Sequence, residues 1–547
     1  MDKKALPIGI SSYEKIISND YYFVDKTLLI KDFLERKTQV TLITRPRRFG
    51  KTLTMSMIAE FFDITKDSKE LFKDTKIMDT PYANEMNQWP TIFISFADAK
   101  RDKESIINTI KSELQNQWDK YNFVFENLSG FKKTRYDYLY NVLADLNGDL
   151  TGINDALKFL MDQMQDYYKK GVMVFIDEYD TPFIEANVNG FYDEIKSGLS
   201  GLLHNSLKTS NGLKYAMLTG IQRVAKENVF SDLNNLIVCD VTDDRYSNYF
   251  GFTESETKDI LEYYGLELNN EVKAMYDGYK IGETEIYNPW SILCYIDSQE
   301  LTSYWVNTSS NKMIRDAMRN ADKNFNDSYE KLVSNGYLDT TVNLQTSFYE
   351  TSNTESLWGL FVNAGYLTVT KKINNKRYRI KIPNNEVREE FESLTSFYLN
   401  IEESVLDNLR QSLLDMDKNL FIETYQDILL RPSYHDLERE NSYHMFLLGM
   451  CMYLENQYEV LSNHENGKGR YDITLKSKKE PLPSYIIEFK YLKKNQIKDD
   501  ELENLANNAI QQIKDNKYDY ELTGKIIYIG LAHHGKDVSI KWEEKGQ

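Results

Sequence analysis

Cysteine is scarce in this 547-residue chain: Cys239, Cys294 and Cys451 are set far apart and odd in number. A disulfide framework and a zinc ribbon both need paired cysteines, so neither is supported, and a reducing cytoplasmic setting fits best. Long hydrophobic runs are missing too. The longest nearly unbroken one, Met445 to Leu454, is about half of the ~20 residues that span a bilayer. Near the N-terminus Lys3 and Lys4 precede an apolar stretch reaching only from Ala5 to Ile10, too short for the core of a signal peptide. No membrane partner is expected. Positive charge is in deficit, with 66 Lys and Arg against 84 Asp and Glu and a net charge of −18. That excludes a surface coated throughout with nucleic-acid-binding charge. Repeats and low-complexity linkers do not stand out. His435, His444, His464, His533 and His534 form no convincing ligand set, and His533-His534 reads as a surface pair.

What is present is an ordinary globular composition, 41% hydrophobic and 27% charged, which excludes wholesale disorder. At ~150 residues per domain the length implies three or four units. Tyr and Phe are abundant, 39 and 26, but spread evenly, as core and interface residues and not as a base-stacking platform. The charge deficit hides a local reversal. From Asn466 to Lys494 eight basic residues face three acidic ones, Asp472, Glu480 and Glu488, a balance of +5 on which a polyanion can dock.

Changes of pattern divide the chain at 1–245, 246–400 and 401–547. In the first part, short β-rich apolar runs at Val40–Thr44, Thr91–Phe96, Val172–Ile176, Leu213–Thr219 and Leu236–Val241 alternate with long helical stretches. This predicts a buried, mostly parallel sheet. In the middle, helical segments surround Met275–Lys280 and Tyr287–Trp290. Leu360–Val369 then reads as a helix end, followed by a strand pair that includes Lys376–Ile382 and turns at Asn374-Asn375. This is a winged-helix-like module or a helical lid on the first part. The last part is helical through Tyr453. It then turns to strands at Arg470–Leu475, Tyr485–Tyr491 and Lys525–Leu531, with a helix between Asp499 and Lys514.

The strongest chemical signal follows the first strand, in Thr41–Thr52. A loop leading into a helix N-terminus offers backbone N–H groups and the helix dipole to phosphate. Gly50 permits close approach, Lys51 would reach the β/γ-phosphates, and Thr52 would hold Mg²⁺. Arg45 stands where the usual pattern has its first glycine. Val172–Asp180 is an apolar strand ending in carboxylates, with Asp177 placed to orient Mg²⁺ and Glu178 to polarise the attacking water. A further strand ends at Thr219-Gly220, where a polar group would sense the γ-phosphate, and leads to Gln222 and to Arg223, which would neutralise transition-state charge. Asp25, before the amphipathic run Lys26–Arg36, reads as an N-cap and not a ligand.

A second constellation joins Asp472 to Glu488-Phe-Lys490. A turn containing Pro481 and Pro483 lets the two strands run antiparallel, and Glu488 and Lys490 share one face. Two carboxylates suit Mg²⁺, and the adjacent lysine would orient water or stabilise the phosphate, as metal-assisted phosphodiester hydrolysis requires. The competing reading is a solvated Glu–Lys pair on an edge strand.

Leu6–Gly9, Tyr22–Thr27, Arg45–Thr52 and Thr219–Arg223, with Tyr249–Thr253, Tyr276–Tyr279 and Tyr287–Trp290, together resemble the AAA-ATPase-like family of bacterial proteins. The resemblance implies that Arg45, Arg47, Arg48, Phe49, Gly50, Lys51 and Thr52 form the phosphate loop and that Arg45 is a family trait. The C-terminal arrangement resembles the PD-(D/E)XK nuclease superfamily, in which Asp472, Glu488 and Lys490 match the catalytic trio. Gln512, in Ala509–Ile513, would contact the substrate backbone or help orient the site; Glu465 is a further acid or a loop residue. The implied protein is a multidomain α/β chain, with an N-terminal P-loop ATPase, a helical or winged-helix-like middle and a C-terminal restriction-endonuclease-like domain. Its cofactors would be ATP and Mg²⁺, with Mn²⁺ an option at the nuclease site. Its partner would be nucleic acid, DNA ahead of RNA, with homo-oligomerisation left open. The alternative is a nucleotide-regulated binding module whose nuclease fold is catalytically silent.

Overall fold

Val40–Thr44 (β1), Thr91–Ser95 (β2), Val172–Asp177 (β3), Leu213–Gly220 (β4) and Leu236–Cys239 (β5) are the five apolar runs of the N-terminal part, and each is a strand in the computed structural model. They form one sheet in the order β2-β3-β4-β1-β5, with every pair parallel. Helices cover both faces, so alternate residues of a single strand enter different cores. Val172, Val174 and Ile176 pack with Leu42 on one face; Met173 and Phe175 pack with Ile43 on the other. Burial on both faces explains the unbroken hydrophobic runs. Because β4 lies between β1 and β3, the carboxyl ends of all three open on one edge. Ligands of such sheets bind at this edge, where the strand order reverses.

The structure describes residues 3–545 except 147, 224–233, 346–352, 400–401, 431–446 and 493–498, and except for stretches scattered through 306–335, 448–456 and 463–471. The chain divides into two compact units, one of residues 1–314 and 340–386, the other of 315–339 and 387–547. The first unit thus contains much of the middle region beside the parallel sheet. Phe252–Thr253 (β6), Tyr279–Ile281 (β7) and Thr284–Tyr287 (β8) form a small antiparallel sheet in the order β6-β8-β7. Helix Glu254–Tyr263 starts at a capping box made by Thr253 and Glu256. Helix Pro289–Ser298 starts at Asn288, whose side chain accepts from the N–H groups of Trp290 and Ser291. Helix Thr354–Ala364 leads into the antiparallel hairpin Thr368–Lys372 (β9) and Arg377–Lys381 (β10). Its turn is held by Asn374 Oδ1, 3.0 Å from the Arg377 N–H. Asp25 is not the N-cap of helix Leu28–Arg36, a place taken by Thr27 without a side-chain cap bond; its Oδ1 accepts from Thr27 N at 2.8 Å and its Oδ2 from Lys76 N at 2.7 Å.

The second unit holds helices Glu403–Leu414 and Lys418–Leu430 and a mixed sheet. Its strands are Tyr458–Ser462 (β11), Ile473–Ser477 (β14), Ser484–Tyr491 (β15), Ile526–His534 (β16) and Asp537–Glu544 (β17), in the order β11-β14-β15-β16-β17. A two-residue ladder, Glu465–Asn466 (β12) with Gly469–Arg470 (β13), lies between β11 and β14 in sequence. Only β15 and β16 are parallel, and helix Asp499–Asn516 makes their crossover. Its Ile510 and Ile513 pack on Ile486, Ile526 and Tyr528. Among the described residues no helix is long and apolar enough to cross a membrane.

Candidate functional site

Arg45 continues the β1–β4 ladder, donating its N–H to Gly220 O at 3.1 Å, and the chain then leaves the sheet. Gly50, at φ +77°, caps helix Lys51–Phe62 in the left-handed region, and a Cβ there would meet nothing. The requirement for glycine is conformational, not steric. Lys51 is buried and donates Nζ–H to two carbonyls of its own loop, Arg45 at 3.1 Å and Pro46 at 2.9 Å. Burial lowers its pKa, against the opposing fields of Glu178, Asp177 and Asp180. The Thr52 hydroxyl reaches Asp177. Asp177 also accepts from Thr219 Oγ1 at 2.7 Å and Ser95 Oγ at 3.2 Å. Burial, then Glu178, pushes the Asp177 carboxyl upward. Glu178 holds a left-handed conformation, φ +48°, and accepts from Thr181 Oγ1 at 2.9 Å. A non-glycine residue held there stores strain of the kind found at functional turns.

Of these groups Gly50, Lys51, Thr52 and Glu178 border one cavity of about 390 Å³, while Asp177 is fully buried and does not line it. Arg47, Arg48, Gly50, Lys51, Thr52 and Glu178 line its polar side, and the N-terminal segment, Phe252, Ile260, Trp290 and Leu293 line the rest. Three expected ligands sit otherwise than the sequence predicts. The Arg45 guanidinium is fully buried and faces away from the loop mouth, donating to the carbonyls of Thr44, Cys239 and Asp240 at 2.8–2.9 Å. Burial lowers its pKa to about 10. It ties β1 to the end of β5, because a residue continuing the ladder must point where Ile43 points, to the core face. Phe49 is likewise buried, edge-on to Tyr279 with centroids 5.0 Å apart. Thr219 is spent on Asp177 as a brace. Arg223 is half-buried and next to residues outside those described.

Asp180 is a site residue that the sequence reading passed over. It is fully buried, and Oδ2 accepts the N–H groups of Ile221 and Gln222 at 2.9 and 2.8 Å, tying the acid turn to the turn after β4. Burial pushes it up to about 6. Its signal was the second aspartate in Asp177-Glu-Tyr-Asp180.

In the second unit, Ile473 pairs with Ile487, so Asp472 stands at the register position of Glu488. Asp472 Oδ2 accepts the Phe489 N–H at 2.7 Å. Glu488 is 3% exposed. Its Oε1 accepts from Lys490 Nζ at 2.9 Å and from Gln512 Nε2; its Oε2 is buried and has no hydrogen-bond partner among the described residues. Gln512 is held in turn by the Tyr518 hydroxyl at 3.2 Å. Burial and then Asp472 push the Glu488 carboxyl up to about 7, against the pull of Lys490. The structure therefore brings Asp472, Glu488, Lys490 and Gln512 together. Glu465 lies in β12. Gly467, Lys468, Tyr471, Lys493 and Lys494 of the basic stretch, and His435, His444 and His464, lie outside the described residues.

The expected surface pair His533-His534 is a correction. His533 is fully buried, stacked on Phe489 at 5.8 Å between centroids, with Nε2 3.0 Å from the Tyr425 hydroxyl. Period-two alternation in β16 places it on the face of Ile529 and Leu531. Burial pushes its pKa down to about 3, below the ordinary ~6.5. Native His533 stays neutral where the unfolded residue takes up a proton. Its stabilising contribution is complete above the ordinary value and is lost as pH falls towards the native one, at ~1.4 kcal/mol per pH unit. Urea unfolding between pH 7.5 and 4.5 should show wild type losing stability faster than His533→Leu by about one proton's slope. Equal slopes would refute the neutral assignment.

Comparison with known proteins matches two parts of the chain. Residues 7–230 match the model of the AAA-ATPase-like family, described as a predicted AAA-ATPase, and residues 438–543 match the PD-(D/E)XK nuclease superfamily. An uncharacterized protein in the vnfD 5′ region of Azotobacter chroococcum mcd 1 is 28% identical over 98% of both chains. Among solved structures, a Signal Transduction ATPase with Numerous Domains protein with a tetratricopeptide repeat sensor, from Pyrococcus horikoshii, aligns at 13% identity and a TM-score of 0.25. That alignment covers 80% of this chain and 58% of the other. Drosophila ORC bound to AT-rich DNA and Cdc6 aligns at 9% identity and a TM-score of 0.17, covering 70% and 91%. Neither score carries a structural argument. The family matches do: the chain joins an AAA-ATPase-like domain in its N-terminal part to a PD-(D/E)XK nuclease superfamily domain near its C-terminus.

Proposed function

We propose that this chain is a nucleotide-controlled, metal-dependent nuclease: the first unit binds and hydrolyses Mg·ATP, and the C-terminal domain cuts phosphodiester bonds, in DNA ahead of RNA. The observation that carries the nuclease reading is the buried Glu488 carboxylate beside Asp472, with one oxygen fixed by Lys490 and Gln512 and the other, among the described residues, without a hydrogen-bond partner. An orphaned buried carboxylate oxygen is costly unless something occupies it. Hard oxygen donors in pairs fit Mg²⁺ or Mn²⁺, and Asp472 and Glu488 would hold the ion. Such an ion supplies Lewis acidity and a more acidic bound water. Lys490 places its charge where a phosphate oxygen would gain it, and Gln512 keeps the Glu488 carboxylate from rotating.

In the first unit, Lys51, Thr52 and Asp177 would hold Mg·ATP, with Glu178 as general base for the attacking water. Arg47 and Arg48 add charge at the phosphate end, and the less polar part of the cavity would take the nucleoside. Thr219 and Asp180 are positioning residues. Arg223 follows the turn that Asp180 holds, where a cation would neutralise transferred charge.

The test is cleavage of supercoiled plasmid and of single-stranded DNA and RNA, with Mg²⁺ or Mn²⁺, with and without ATP. Metal-dependent cutting that responds to ATP, and loses that response in Lys51→Ala, is expected. ATP turnover with no cutting of any substrate would leave a binding module in place of a nuclease. Metal affinity carries its own pH signature, because a bound cation must displace the Glu488 proton. Since that group titrates at about 7, Mn²⁺ affinity measured by calorimetry should fall about tenfold per pH unit below this value. Asp472→Ala should abolish it.

A further inference from the structure

A buried carboxylate outside both sites connects the phosphate loop to the exit of the first unit. Glu386 is fully buried. Its Oε1 accepts the backbone N–H groups of Tyr304 and Trp305, each at 2.9 Å, and the Ser291 hydroxyl reaches its two oxygens at 2.8 and 2.9 Å. The residues supplying these donors also hold the loop. Trp305 donates its indole N–H to the Arg47 carbonyl at 3.3 Å. Trp290, next to Ser291, lies under the Arg48 guanidinium, 4.1 Å from the ring centroid, and donates its indole N–H to Tyr304 O at 3.2 Å. Two consecutive loop residues therefore each carry a tryptophan, and both tryptophans lead to one carboxylate. Glu386 is the second residue of helix Asn385–Leu399, and the chain passes from the first unit to the second immediately after it.

We propose that Arg47 and Arg48, Trp290 and Trp305, and Glu386 form a relay through which phosphate in the loop is read by helix Asn385–Leu399. This deepens the ATP-control reading and rests on nucleotide binding at that loop. The differential contact is at Arg48. In this structure its guanidinium stacks on Trp290, an interaction worth about 0.5–2 kcal/mol; a nucleotide phosphate is a stronger partner for the same group. When Arg48 turns to phosphate, Trp290 loses its cation and the adjacent Ser291–Glu386 bond is disturbed. A buried carboxylate tolerates the loss of a donor poorly, so Glu386 and the helix that begins with it move to a second arrangement. A ligand shifts such an equilibrium only by its differential affinity for the two states, and Arg48 supplies that difference.

The test uses the full chain, with a non-hydrolysable ATP analogue plus Mg²⁺ as the probe and calorimetry as an independent measure of its binding. Amide hydrogen exchange across Asn385–Leu399 is compared with and without the analogue in wild type, Glu386→Gln and Ser291→Ala. In wild type the analogue should change exchange in this helix by about threefold or more. Both variants should bind the analogue within about threefold of wild type while that change largely disappears. If Glu386→Gln fails to fold, Ser291→Ala decides alone. Binding without any change of exchange in the wild-type helix, or an undiminished change in the variants, overturns the relay and leaves the nucleotide reading standing. Failure of the analogue to bind wild type overturns both.

Discussion

Lys490→Ala is expected to lower metal-dependent cleavage by about 10²–10³-fold without unfolding the C-terminal domain, a loss typical of removing one group that faces developing charge. The lysine head is within 2.9 Å of Glu488 Oε1, yet its side chain is 23% exposed, so solvent reaches it. Two separate losses follow from its removal. A phosphate in the site loses a cation, and Glu488 loses the charge that opposes burial and Asp472. The carboxyl then rises above its present value of about 7, and at neutral pH the metal must displace a proton more often. The acid limb of the pH–rate profile should therefore move to higher pH in Lys490→Ala, and part of the deficit at pH 7 should disappear at about pH 9. Activity within about threefold of wild type across the whole profile would remove Lys490 from the site.

Glu488→Gln separates chemistry from folding. It removes a carboxylate whose charged form burial already disfavours, while keeping the shape, so the desolvation penalty goes with the charge. Lys490 is left without its carboxylate but is exposed enough to stay hydrated. The expected result is an unchanged or slightly higher unfolding midpoint with loss of Mn²⁺ binding. A marked fall in the midpoint would mean that the carboxylate serves the fold more than a metal.

Strands β1, β3 and β4 of the parallel sheet were legible because burial writes them as continuous apolar runs, β2 and the partly exposed edge strand β5 because their short runs are β-rich, and β3 announces its site by ending in Asp177 and Glu178. Strands β14, β15 and β16 were legible for similar reasons. The outer strands β11 and β17 were not. Tyr458-Glu-Val-Leu-Ser462 and Asp537–Glu544 intersperse polar with apolar residues, Val538, Ile540 and Trp542 alternating in the second, and offer no continuous apolar run of the kind that marked the central strands. Arg45 misled for a positional reason. It occupies a place where phosphate loops usually have glycine, but its backbone still belongs to the ladder, which sends its side chain into the core. His533 misled by its chemistry, although its alternation with Ile529 and Leu531 carried the correct face. Asp180 and Glu386 bind backbone N–H groups from segments far off in sequence, contacts that no local pattern encodes.

Lys51→Ala should weaken ATP binding by about 10²-fold or more, on the scale of one or two charge-assisted hydrogen bonds at ~1.5–3 kcal/mol each. In the structure the ammonium is folded back on the Arg45 and Pro46 carbonyls, and burial lowers its pKa because its charge has lost water. A phosphate anion restores a full charge partner, so the lysine gains more from nucleotide than an exposed lysine would. Two carbonyls lose their donor in Lys51→Ala, but the variant also no longer buries an ammonium; the two effects oppose, and the unliganded midpoint should change little. The contrast appears on adding ligand. Saturation at 100 times Kd stabilises the binding-competent fold by about 2.7 kcal/mol, so Mg·ATP should raise the unfolding midpoint of wild type and leave Lys51→Ala nearly unmoved. Glu178→Gln provides the opposite control: it should bind Mg·ATP at least as tightly, because one negative charge near the phosphates is gone, while turnover falls. Equal stabilisation of wild type and Lys51→Ala by ATP would place the nucleotide elsewhere and remove the phosphate loop from the mechanism.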